Sequence, residues 1–65
     1  MTTPSIKQII NKLTRAGFDV EFGTWDGSDV WWWHKDNRKV ESGDLKTTEV
    51  AAWLSAWQYF NTEQS

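Results

Sequence analysis

Apolar positions along the chain change their spacing twice. Between residues about 4 and 16, Ile6, Ile9, Ile10 and Leu13 recur at helical intervals, while Lys7, Asn11, Lys12 and Arg15 fall largely on the other side. Thr3-Pro4-Ser5 ahead of them offers capping hydroxyls and a proline suited to a first turn, and Gly17 stands where a helix stop belongs. From Phe18 onward the period drops to two, because Phe18, Val20 and Phe22 alternate with Asp19 and Glu21 as in a strand with one buried face. The pattern predicts strands over about 18–25, 28–35 and 38–42. Asp26-Gly27 joins the first two as a two-residue turn with positive φ at both positions, and Asp36-Asn37 joins the next pair in the same manner. Gly43 then ends the third strand. Thr47 or Thr48 caps a last helix over about 47–60, with Glu49 in its first turn and Val50, Trp53, Leu54, Trp57 and Phe60 on its apolar face. The polar residues 61–65 are expected to fray.

Trp31-Trp32-Trp33 interrupts the alternation of the second strand. Consecutive side chains of a strand leave on opposite faces, so three adjacent indoles cannot all share one core. With Asp26-Gly27 as turn residues, Trp25 pairs with Ser28, Phe22 with Trp31, Glu21 with Trp32 and Val20 with Trp33. With Asp36-Asn37 as the second turn, Trp33 pairs with Val40 and Trp32 with Glu41. Both turns send Trp31 and Trp33 inward, under the helices. The opposite face then carries Asp19, Glu21, Trp25, Val30, Trp32, His34, Lys39 and Glu41. A three-residue turn with a bulge in either hairpin would reverse that assignment.

The fold class that follows is α+β, in the order αβββα: a three-stranded antiparallel sheet with both helices packed on one face, as a single domain over residues 1–65. A chain this short buries only about 60% of the surface its unfolded form exposes, so its core must be efficient. There is no cysteine and only one histidine, which excludes disulfides and a Cys/His zinc site as staples. Six Trp, three Phe and one Tyr are the remaining means, and core filling is the plain reading of most of them.

Charge and motifs narrow the chemistry. Seven Lys plus Arg against nine Asp plus Glu give a net charge of −2, which provides no general attraction to a polyanion. The N-terminus has no basic stretch followed by an apolar run, and no window approaches the ~20 apolar residues that span a bilayer, so a cytoplasmic location without membrane association is expected. Nucleophile-elbow, phosphate-loop and two-histidine metal spacings are missing, and His34 reads as a packed strand residue. Asp19 and Glu21 share a solvated face that would not raise a carboxyl pKa for acid catalysis. The expectation is therefore a protein that is not an enzyme and takes no cofactor or metal. Asp26, Asp29 and Asp36 read as turn residues.

The αβββα order resembles the double-stranded RNA-binding domain in topology over nearly the whole chain. That family docks phosphates through clustered lysines at the start of its last helix, whereas Asp44-Leu45-Lys46-Thr47-Thr48-Glu49 has one lysine among two acids. The stretch from Asp36 to Trp53 is similar to the sheet-plus-helix unit of integrase arm-binding and AP2-type DNA readers. Both resemblances imply a fold order and transmit no function.

Trp32, Trp25, Val30 and His34 on the uncovered sheet face form the candidate binding patch. The leading reading is a small interaction or regulatory module that binds a protein partner, or a second copy of itself, through that face with Trp32 as anchor. The alternatives are a self-associating accessory protein and a single-strand nucleic-acid binder. In the latter, Trp25 and Trp32 would stack on bases while Lys35, Arg38 and Lys39 supply positive charge. Asp19, Glu21 and Glu41 beside those tryptophans make nucleic acid the poorer partner.

Overall fold

The computed structural model describes residues 4–37 and 39–64 of the chain. It contains helix α1 (Ile6–Arg15), strands β1 (Phe18–Trp25), β2 (Ser28–Lys35) and β3 (Val40–Glu41), and helix α2 (Glu49–Gln64). The sheet is antiparallel in the order β1-β2-β3, and both helices contribute to a core on one of its faces.

Local chemistry sets the ends of the elements. Ser5 caps α1 in a capping box: its Oγ accepts the Gln8 N–H at 3.3 Å and its own N–H donates to Gln8 Oε1 at 3.0 Å. Gly17, at φ 98°, turns the chain out of the helix. Of the two threonines ahead of α2, Thr48 is the cap, its Oγ1 accepting the Ala51 N–H at 3.1 Å. Asp26 and Gly27 have φ of 53° and 79°, the left-handed pair that a tight hairpin requires. The β1–β2 register follows from that turn as expected, with Glu21 opposite Trp32 and Val20 opposite Trp33.

The second hairpin departs from expectation. Its ladder pairs Lys35 with Val40 and His34 with Glu41, two residues away from the anticipated register. Asp36 and Asn37 do adopt positive φ, but the Asp36 N–H donates to Gly17 O at 3.1 Å on the β1 side. The turn is displaced as a result, and the Lys39 N–H closes on Asp36 O at 3.3 Å. An even slip keeps every side chain on its face, so the inward and outward sets survive. The third strand is shorter than 38–42 in its regular part, yet its path along β2 continues through a bulge. Ser42 N–H donates to Trp33 O at 2.9 Å, and Lys46 exchanges two 2.8 Å hydrogen bonds with Trp31. Four residues of the edge segment thus span two of β2, which is the signature of a bulge. Ser42 Oγ secures it by accepting the Trp33 N–H and donating to Asp44 O.

The core unites Ile9 and Leu13 of α1, Phe18 and Trp33 of the sheet, and Trp53 and Ala56 of α2. Trp33 is sealed there, its ring 4.9 Å from Tyr59 and 5.4 Å from Phe18, with its Nε1–H donating to Ser55 Oγ at 3.1 Å. Two expectations for the apolar faces need correction. Val50 and Leu54 are exposed, because α2 approaches the core along Ala52, Trp53 and Ala56, where alanines permit close packing. Phe22 takes the helix-side face but is 58% exposed and packs at a tilt against a half-buried Trp31, ring centroids 4.9 Å apart. The aromatic contacts of α2 with the sheet lie at the Phe18 and Trp33 end, leaving this rung uncovered. Helix α2 extends through Gln64, past the expected end at about residue 60, while Thr3 and Ser65 lie outside the described residues.

Candidate functional site

The sheet face away from the helices holds a groove of about 330 Å³. Val30 and Trp32, two residues apart on β2, form its floor on that face. Trp25 from the end of β1 and Leu45 from the bulged edge segment are its exposed apolar members, and Glu41 and Ser42 supply its polar margin. The lining is mainly apolar with a few polar groups, the composition of surfaces that take up a partner side chain.

Each element positions its contribution for an identifiable reason. The Asp26-Gly27 turn fixes Trp25 opposite Ser28 at the tip of the hairpin, where it remains 69% exposed. Lys46 bridges to Trp31 on the helix side, so the alternation of an extended segment turns its neighbour Leu45 to the other face. Leu45 is 48% exposed and closes the groove opposite Trp25. Sequence reasoning missed this residue because it ended the third strand at Ser42. The available signal was one apolar side chain in the otherwise polar stretch after Gly43, a position at which a bulge restores strand alternation.

The four patch residues do not share one environment. Trp25 is the exposed one; Trp32 takes the uncovered face but is half-buried, lying over Gly23 of the neighbouring strand. Val30 is 8% exposed, which makes it floor and not rim. His34 is also withdrawn from solvent, with a side chain 12% exposed and Nε2 at 3.1 Å from Glu21 Oε1. Neither imidazole nitrogen has an aligned hydrogen bond among the described residues, and His34 does not line the groove. It belongs to the packing of the sheet face.

The basic residues are not gathered at the groove. Lys35 is on the helix-side face, with Nζ 5.4 Å from the centre of the Phe18 ring. Lys39 is exposed in the second turn, and Arg38 lies outside the described residues. Glu41 is the charged residue that does line the groove. The Asp19 carboxylate accepts the N–H of Val20 at 2.9 Å. Among the described residues no group of three His, Cys, Asp or Glu side chains is placed to hold a metal ion, and no helix is long and apolar enough to cross a membrane. The chain matches no protein-family model, no curated protein and no solved structure.

Proposed function

We propose that this protein is a non-enzymatic interaction module whose groove receives a bulky apolar side chain of a protein partner. The observation that carries this reading is the pairing of two exposed apolar walls, Trp25 and Leu45, around a floor of buried Val30 and half-buried Trp32. A solvent-exposed tryptophan next to a pre-formed apolar depression gains most when a partner covers both, and aromatic residues dominate the energetics of such contacts. Glu41 at the margin favours a partner segment that presents a cation or a hydrogen-bond donor beside its apolar anchor. The same acid, with no lysine or arginine among the described residues that line the groove, disfavours a phosphate backbone there.

A photoreactive residue placed at position 25, with position 58 on the exposed polar side of α2 as control, tests the proposal in cells of the native source. Crosslinking to a discrete protein from position 25 alone, abolished by Leu45→Glu, is the expected result. Equal labelling from both positions, or a crosslink indifferent to Leu45→Glu, would contradict it.

A further inference from the structure

The two edges of the sheet are unlike. The β3 edge has a regular part of two residues and a bulge after it, features that discourage further pairing. The β1 edge is eight residues long and contains no proline and no lysine. The main-chain direction along it is settled by the neighbouring strand. Trp31 and Trp33 turn their peptide groups toward the third strand, in hydrogen bonds to Lys46 and Ser42. Their cross-strand partners Phe22 and Val20 must then turn theirs away from β2, toward the open edge, and Thr24 shares that direction by alternation. One of these outward amides is already occupied, since Val20 donates to the Asp19 carboxylate. The N–H and C=O groups of Phe22 and Thr24 remain, on the half of the strand where Phe22, Thr24 and Trp25 are all exposed.

We propose that the β1 edge pairs antiparallel with the β1 edge of a second copy of this chain, about a two-fold axis at Gly23, to give one continuous six-stranded sheet. This register sets Phe22 opposite Thr24 of the second copy and uses all four outward N–H and C=O groups of each strand. Glu21 then falls opposite Trp25 of the second copy, and no acid faces an acid. The neighbouring registers are worse: an axis at Thr24 sets Phe22 against Asp26, which lies beyond the strand in the turn. An axis at Phe22 draws the occupied Val20 amide into the ladder; an axis at Glu21 sets that acid against itself; an axis at Val20 sets Asp19 against Glu21. The exposed Phe22 ring gains a neighbour across the axis, and a two-fold contact of identical edges closes on itself without growing into a filament. A net charge of −2 per chain opposes this association little. The contact shares Thr24 and Trp25 with the near wall of the groove, while the far wall Leu45 lies at the other edge of the sheet; Leu45→Glu therefore reports on the groove alone and Phe22→Lys, at a residue that does not line the groove, on the edge alone.

Sedimentation across a range from low to high micromolar concentration tests the inference on the full chain. The mass is expected to rise from 7.6 kDa to twice that value and stop there. Phe22→Lys puts a charge on the edge and Thr24→Pro removes one outward N–H, a change an edge strand tolerates. Both variants are expected to keep the single-chain mass with the indole N–H resonance of the core Trp33 in place, whereas Leu45→Glu dimerises as the wild type does. Hydrogen exchange of the wild type gives a readout that needs no variant: protection of the Phe22 and Thr24 amides rises with concentration and that of Val20 does not. A wild type that stays at 7.6 kDa throughout, a mass that climbs past two copies, a dimer retained in both variants, or concentration-independent exchange at Phe22 and Thr24 would overturn the proposal.

Discussion

The six-membered ring of Trp32 lies against the Cα of Gly23 on the neighbouring strand. A Cβ added to that glycine would stand 3.0 Å from Cη2 and 3.2 Å from Cζ3 of the indole. A glycine in the middle of a strand loses side-chain packing and conformational entropy, and an aromatic ring from the adjacent strand restores the missing cover. The middle tryptophan of the Trp31-Trp32-Trp33 run therefore serves the sheet as well as the groove, being half-buried on the face without helices.

That contact predicts coupling between the two positions. Gly23→Val forces the ring aside and is expected to cost about 1–3 kcal/mol of unfolding free energy, the usual range for overpacking. In a Trp32→Ala background the same substitution should cost clearly less, because the ring it displaces is gone. Urea unfolding of the four proteins measures the difference; equal costs in both backgrounds would show that the ring does not cover the glycine.

Ser55 is predicted to matter through a single hydrogen bond. Its Oγ accepts the Nε1–H of the buried Trp33, so Ser55→Ala leaves a donor in the core without its partner at a cost of about 1–3 kcal/mol. The unfolding midpoint should fall accordingly. The Trp33 indole N–H resonance should move while those of Trp25 and Trp32, on the other face, stay in place.

Gly17 is predicted to resist replacement by alanine for two reasons acting together. Its φ of 98° strains any residue with a side chain, and the added Cβ would stand 2.9 Å from Asp36 Oδ1. The backbone strain alone costs about 1–3 kcal/mol. Moving Asp36 also endangers its 3.1 Å hydrogen bond to Gly17 O, which ties the second turn to the start of β1. Gly17→Ala should lower the thermal midpoint, and Asp36→Ala should relieve the steric part of that loss while leaving the φ strain.

Much of this arrangement is legible in the amino-acid order where short-range chemistry decides it. Asp26-Gly27 favours a two-residue turn, and with that turn the alternation Phe18, Val20, Phe22 sets the observed register of β1 against β2, with Trp33 on the helix side and Trp32 on the other face. The third strand is less legible because Asp36 spends its amide on Gly17, a contact that depends on the helix end being brought alongside β2. The bulge after Glu41 hides Leu45, since its alternation resumes only after extra residues that look like a loop. On α2 the large apolar side chains suggest a contact face that the alanines in fact occupy, so Val50 and Leu54 end outside. The patch is visible in the sequence as a set of aromatic residues on one face; its depth is not, because Val30 is buried and His34 half-buried by neighbours that only the folded sheet supplies.

The groove reading is tested most directly by mapping amide and side-chain chemical-shift changes on the labelled protein as the crosslinked partner, once identified and purified, is added. Changes centred on Thr24, Trp25, Val30 and Leu45, with α1 and the outer side of α2 undisturbed, are the predicted result. Changes centred on Val50 and Leu54, with the groove silent, would contradict it.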